Sequence, residues 1–224
     1  MLAKGFPEDF TPDSSQKASV DSEALLGKLN IQSANLGSPD GHSSRVAIYS
    51  VAIGKRLDLS EKSLADLKSA AVLHDIGKVG ISNQIVDKIG KLSDHEFEIM
   101  RLHSTIAIRM LERVEGLKDS LPMIKHHHER FDGKGYPDKL KGHDIPLGAR
   151  IIAVAETFDI LVSDVPWRDA LIIDEAVEEL RANAGTQFDS MVVEAFVSAL
   201  NANEVQLPEE IQDQMQTLRK PKSN

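Results

Sequence analysis

The segment His42-Ser43-Ser44-Arg45-Val46-Ala47-Ile48-Tyr49-Ser50-Val51-Ala52-Ile53-Gly54-Lys55-Arg56-Leu57 sets Val46, Tyr49, Ile53 and Leu57 three or four residues apart. That spacing lays the four side chains on one face of an α-helix, whereas a strand would alternate with a period of two. His42 lies four residues before Val46 and continues the stripe, so its imidazole is expected to point into the core. Outward from this segment the same period recurs. Residues 61–76 carry Leu64, Leu67 and Ala71 leading into His74. A third helix opens on the capping-box pattern Ser93-Asp94-His95-Glu96 and runs through Phe97, Met100, Ala107, Met110 and Val114 on a stripe that includes His103. A fourth starts near Leu121, with Pro122 in its first turn, and ends in His126-His127-His128-Glu129. A fifth begins around Pro146 and passes through Arg150, Ile152, Ala155, Glu156 and Asp159 to about Val162. A sixth covers 174–184 and stops at Gly185. Asp189 is positioned to cap a seventh, with Val193, Phe196 and Leu200 inward. No stretch shows clean strand alternation, and the predicted fold is all-α.

The flanks differ in character. Residues 1–22 have no apolar period and are expected to be a flexible leader; a short helix is predicted over 22–29, before the loop Gly37-Ser38-Pro39-Asp40-Gly41. The folded domain is expected to span 23–204, followed by a polar tail over 205–224. The 224 residues carry 26 Lys and Arg against 35 Asp and Glu, a formal net charge of −9, which argues against a general DNA-binding surface. No apolar run approaches the roughly 20 residues of a membrane span. The first residues lack the apolar centre of a signal peptide, so the expected location is cytoplasmic. Exposed apolar faces on the first helices suit a homodimer contact.

Cysteine is absent, so any metal chemistry must use imidazole and carboxylate. Six of the eight histidines fall at His42, His74, His103 and the run His126-His127-His128. A single buried histidine is usually a hydrogen-bonded core residue, but several aimed inward with acidic partners need compensation, and a divalent metal is the usual one. Asp75 places a carboxylate with two oxygens beside His74, which allows it to bridge two metals. Neighbouring His127 and His128 diverge by about 100° on an ideal helix, so both reach one site only where a helix ends. Lys78, three residues after Asp75, is placed to meet a phosphate or, more simply, to cap a helix end; Arg150 and Arg168 are further candidate cations. Two nearby divalent ions generate hydroxide at neutral pH and clamp the oxygens of a phosphoester, so the predicted reaction class is metal-assisted phosphoester hydrolysis.

The ordered motifs His74-Asp75-Ile76-Gly77-Lys78, His127-His128-Glu129, Asp132-Gly133-Lys134-Gly135-Tyr136-Pro137 and Ile145-Pro146-Leu147-Gly148-Ala149-Arg150-Ile151-Ile152-Ala153-Val154-Ala155 resemble the HD-GYP domain of the HD phosphohydrolase superfamily. The resemblance runs from about His42 to Leu200. It implies a helical bundle with a five-helix core and additional C-terminal helices. It also implies iron or manganese at the centre and hydrolysis of cyclic di-GMP to linear pGpG, GMP or both through a metal-bridging hydroxide. It puts the metal ligands on His42, His74, Asp75, His103, His127, His128 and Glu156, with Asp75 bridging. Lys78 falls on the phosphate-binding lysine and Tyr136 on the ligand-contacting tyrosine; Gly133 and Gly135 shape the loop that presents it, and Gly135 and Arg168 complete the expected substrate contacts. His126 reads as an extra histidine outside the ligand set, and Asp159 as the partner that orients a ligating imidazole.

The sequence departs from the family at several positions. Glu156 stands where the family has Asp and reaches about one methylene further. Ser38 occupies the place of a Glu found in members with a third metal, so two divalent ions are expected. In Ser163-Asp164-Val165-Pro166-Trp167-Arg168, Val165 replaces an arginine, at a cost of about 1.5–3 kcal/mol if a charge-assisted contact is lost, while Trp167 offers a stacking surface. Ser104 replaces a proline with minor structural consequence. Three readings follow: a cyclic di-GMP phosphodiesterase; a catalytically weak module that binds nucleotide or docks a signalling partner such as a diguanylate cyclase through the Gly133–Pro137 loop; or a phosphodiesterase for another cyclic dinucleotide.

Overall fold

The computed structural model describes residues 41–164, 168–205 and 207. The described elements are α1 His42–Arg56, α2 Glu61–Leu73, a 3-10 turn Ile76–Gly80, α3 Asn83–Val86, α4 Asp94–Arg101, α5 His103–Leu111, α6 Leu121–His126, a 3-10 turn Gly142–Asp144, α7 Leu147–Leu161, α8 Ile173–Ala182 and α9 Ser190–Asn201. No strand occurs among them. The leader, the helix predicted over 22–29, and Ser38, Val165 and Trp167 lie outside the described residues.

Helix starts follow local chemistry. The Ser60 hydroxyl accepts from the Ser63 amide, Ser93 and Glu96 form the reciprocal capping box, and the Asp189 carboxylate accepts from the Met191 amide. α1 packs against α2, α7 and α9, and α6 packs against α5 and α7. The five elements that interlock, α1, α2, α5, α6 and α7, form the expected five-helix core, with α8 and α9 added at the C-terminal side. Phe158 meets Tyr49 and Phe196 edge-on at its centre, with Tyr49 and Phe158 ring centroids 5.4 Å apart and Phe158 and Phe196 4.7 Å apart. Edge-to-face packing suits the ring quadrupoles and buries three large apolar groups together.

Two expectations require correction. The third predicted helix is broken at Leu102 into α4 and α5, and the Ser104 hydroxyl donates to the Arg101 carbonyl at the break, 3.2 Å away. Across the break the stripe is not continuous: His103 and Ala107 are buried, Phe97 before it is 42% exposed, and Met110 on α5 is 43% exposed. The second concerns the start of the tail: Val205 and Leu207 are buried in the main core. Glu204 just before them accepts two bonds from the Arg56 guanidinium, at 2.6 and 2.8 Å. No described helix is long and apolar enough to cross a membrane.

Candidate metal centre

His74 follows α2 while keeping helical backbone angles, and its ring faces the core; Asp75 then leaves the helix into the first 3-10 turn. Gly77 decides where that turn lies. A Cβ at this position would sit 1.9 Å from the His103 carbonyl oxygen and 2.7 Å from the Ala107 amide nitrogen, so only glycine lets the turn rest directly on α5. Asp75 is thereby wedged between two helices. Its Oδ2 is 3.4 Å from His74 Nε2 and its Oδ1 is 3.6 Å from His103 Nε2. The two oxygens of one carboxylate address two imidazoles from different elements.

Around Asp75 the structure assembles two adjoining groups of donors. His42, His74 and Glu156 form one, and Asp75, His103, His127 and His128 the other; within each, the candidate ligand atoms lie within 4.8 Å of one another. Every histidine and carboxylate expected to ligate metal is in one of them. His127 is the cap residue of α6 and His128 lies beyond it. Departure from the helix brings their ring centroids to 4.0 Å, which an unbroken helix would not allow.

The imidazoles are pre-set as neutral donors. Nδ1 of His74 donates to the Ala71 carbonyl at 2.7 Å, that of His103 to Met100 at 2.8 Å and that of His127 to Ile124 at 2.6 Å. A carbonyl only accepts, so the proton resides on Nδ1 and each Nε2 presents a lone pair. Burial lowers the His74 pKa to about 4 and also depresses those of His103, His127 and His128. Nε2 of His103 and Nε2 of His127 consequently face each other as lone pairs at 3.3 Å, an arrangement that a cation between them resolves. The buried Nε2 of His74 and Oδ1 of Asp75 have no hydrogen-bond partner among the described residues. Convergent imidazole nitrogens and carboxylate oxygens with fixed tautomers fit a divalent metal.

A surrounding layer orients this set. His42 Nδ1 donates to Asp159 Oδ2 at 2.7 Å, and the Arg45 guanidinium grips the same carboxylate through Nε at 2.6 Å and Nη2 at 2.8 Å. Glu156 and Asp159 sit three residues apart on α7, so one helix face supplies both a candidate ligand and the group that orients another. Burial opposes the charged form of His42, but the Asp159 hydrogen bond and the charges of Glu156, Asp159 and Asp75 outweigh it and raise its pKa. Burial, reinforced by the charge of Asp75, pushes the Glu156 carboxyl up to about 7. Lys78 donates to Asp75 Oδ2 at 2.6 Å. Burial works against its charge, and the pairing with Asp75 more than offsets this.

The expected substrate residues divide. The Tyr136 ring stacks on His128 with centroids 4.9 Å apart and an interplanar angle of 29°, which places it at the edge of the second donor group. Gly135 is buried, and its position is explained by packing. A Cβ there would lie 2.3 Å from the Arg130 amide nitrogen and 2.6 Å from the His128 carbonyl oxygen, so the glycine lets the loop fold onto the His128–Arg130 backbone. Arg168 turns away from the expected role: it donates to the carbonyls of Ile160, Leu161 and Asp169 and so caps the end of α7. Arg150 pairs with the nearly buried Asp189 and donates to the Ile145 carbonyl, pinning α7 to α9. His126 lies outside both donor groups and contacts Asp138 at 3.0 Å.

Sequence reasoning missed Arg45, Glu129 and Arg101. Arg45 lies one helical turn after His42, a spacing that marks it as a candidate neighbour of the same site. Glu129 is buried and accepts from the Asp138 amide at 2.7 Å, closing the loop that carries Tyr136. Arg101 lies over the Tyr136 ring, 5.1 Å from its centroid; its pairing with a residue 35 positions away leaves no local signal.

Fold and centre together define an all-helical protein with two adjoining histidine and carboxylate groups that meet at one aspartate. The chain belongs to the HD domain family, whose model matches residues 29–192, and to its HD-GYP branch. It is 40% identical over 161 residues to the 3'3'-cGAMP-specific phosphodiesterase 3 of Vibrio cholerae, covering 72% of this chain and 35% of the relative. It is 40% identical over 158 residues to a cyclic di-GMP phosphodiesterase of Thermotoga maritima, covering 70% of this chain and 43% of that one. The chain thus matches less than half the length of each of these relatives. A crystal structure of a cyclic GMP-AMP specific phosphodiesterase of V. cholerae superposes with a TM-score of 0.63 at 23% identity, over 85% of this chain and 52% of the other, which shows the shared fold.

Proposed function

We propose that the chain is a metal-dependent phosphodiesterase that hydrolyses cyclic di-GMP to linear pGpG, GMP or both. The observation that carries this reading is the position of Asp75, whose two oxygens face His74 on one side and His103 on the other. In this reading His42, His74 and Glu156 would hold one divalent ion and His103, His127 and His128 a second, with a carboxylate oxygen of Asp75 available to each and iron or manganese as the metals. Bound there, the ions supply Lewis acidity toward a phosphodiester and ease ionisation of water.

The protein's own groups do the rest. The carbonyls behind His74, His103 and His127 hold the tautomers that present Nε2, and Asp159 does the same for His42. Lys78, charged and beside Asp75, offers an ammonium to a phosphate oxygen. Burial, aided by the nearby Glu156 and Asp75 charges, pushes the Tyr136 phenol above its usual range, so the hydroxyl keeps its proton and serves as a donor to the ligand. Hydrolysis joins one water oxygen to phosphorus and releases the ribose 3'-oxygen with a proton.

A second substrate, 3'3'-cGAMP, is favoured by one observation: a relative named for that specificity and one named for cyclic di-GMP are equally identical to this chain, at 40%. The test is turnover of both nucleotides by anaerobically purified protein loaded separately with Fe(II) and Mn(II), with metal content counted and Asp75→Ala as control. Turnover lost in the control supports the reading. Absence of turnover with metal bound favours a binding module that senses the nucleotide or docks a signalling protein such as a diguanylate cyclase.

A further inference from the structure

α4 is an unusual helix in this fold. It has a complete capping box, and Lys88 binds the Glu96 carboxylate at 2.6 Å, yet none of its residues is buried. Its Phe97 and Arg101 turn toward the Tyr136 loop. The Arg101 guanidinium lies over the Phe97 ring at 4.6 Å and over the Tyr136 ring at 5.1 Å, and the two rings meet edge-on at 6.4 Å. Tyr136 in turn stacks on His128. An unbroken series of flat groups therefore leads from the second donor group out to Phe97, which remains 42% exposed.

The polar edge of this series is partly used: Arg101 Nη1 binds the exposed Glu98 carboxylate at 2.7 Å, and Nε is buried without a hydrogen-bond partner among the described residues. The side chain as a whole stays 34% exposed, so a ligand acceptor would meet the guanidinium at its outer end. Exposed aromatic rings are stacking surfaces for bases of any sequence, and a guanidinium matches the paired O6 and N7 acceptors of guanine.

We propose that Phe97 and Arg101 form a nucleobase platform beside the metal centre, on which a purine of the cyclic dinucleotide stacks and through which guanine is preferred. The inference rests on the cyclic dinucleotide reading above and assigns α4 as its specificity element. Both residues are specificity-determining and stand apart from the reacting phosphate.

The test uses the full chain loaded with Mn(II). Phe97→Ala, Phe97→Trp, Arg101→Lys and the parent are compared for KM and kcat on cyclic di-GMP, and for binding of cyclic di-GMP and of inorganic phosphate, which has no ring to stack, by calorimetry. Phe97→Ala and Arg101→Lys are expected to weaken cyclic di-GMP binding and raise KM by about tenfold or more. That loss should be at least several times larger than any change in phosphate binding, and Phe97→Trp should restore affinity. Parallel losses of cyclic di-GMP and phosphate binding, or KM and affinity within twofold of the parent in Phe97→Ala, overturn the platform while leaving the phosphodiesterase reading in place. A parent protein that holds Mn(II) but neither binds nor cleaves cyclic di-GMP overturns both.

Discussion

Asp159 on α7 accepts from Nδ1 of His42 on α1 at 2.7 Å, across 117 positions of sequence, and Arg45 holds the same carboxylate from the other side. The contact fixes His42 with Nε2 toward Glu156 and His74, so the first donor group depends on a residue that is not one of its members. Asp159→Ala is expected to lower metal affinity by about 10–100-fold, the usual effect of removing the partner of a ligating histidine. Chelator competition monitored by metal content checks this; an affinity equal to the parent's would show that Asp159 does not orient the site.

Metal uptake should depend on pH through two groups. The Glu156 carboxyl is raised to about 7 and the His42 imidazole is raised above its ordinary 6.5, so both carry protons that an incoming cation must displace. His74 is lowered to about 4 and is already neutral above about pH 5. Affinity is therefore expected to rise with pH through the Glu156 value of about 7 and to level off once His42 too is neutral, with proton release on loading. Calorimetry of Mn(II) binding in buffers of different ionisation enthalpy measures those protons, and Glu156→Gln should reduce the number released.

Gly77→Ala places a methyl group against the His103 carbonyl, at a separation no real contact permits. Because the clash is with the α5 backbone at His103 and Ala107, which cannot swing aside as a side chain can, the 3-10 turn must lift from α5. The expected cost is about 1–3 kcal/mol or more, read as a lowered urea midpoint, together with weaker metal retention because Asp75 moves with the turn. Unaltered stability and metal content would contradict the wedge geometry.

Phe158 is fully buried between Tyr49 and Phe196, on the same helix that presents Glu156 and Asp159. Phe158→Ala should cost about 3–5 kcal/mol, through lost burial and the cavity left behind. Urea unfolding gives the value, and a loss under about 1 kcal/mol would mean that the three-ring cluster is not central to the core.

Much of the fold was legible because helical periodicity is a local property. The stripe Val46, Tyr49, Ile53 is buried as expected, and Ser93 to Glu96 form their capping box. The third helix was misread because Phe97, Met100 and Met110 fit a helical period as well as core residues do, and periodicity does not reveal whether a stripe meets core or solvent. Just after the break at Leu102, His103 and Ala107 pack onto the Gly77 turn, a contact made with a distant part of the chain.

The sequence by itself specified most of the helices, the inward histidines and the motif order, since each depends on residues within one or two turns of one another. Tertiary structure alone decided which donors share a group, that Asp75 faces both His74 and His103, and that Arg168 caps α7 while Arg101 lies beside Tyr136. The physical reason is range: backbone hydrogen bonds and side-chain period act within an element. A carboxylate or guanidinium takes whichever partner packing brings within about 3 Å, and that partner is commonly tens of residues away.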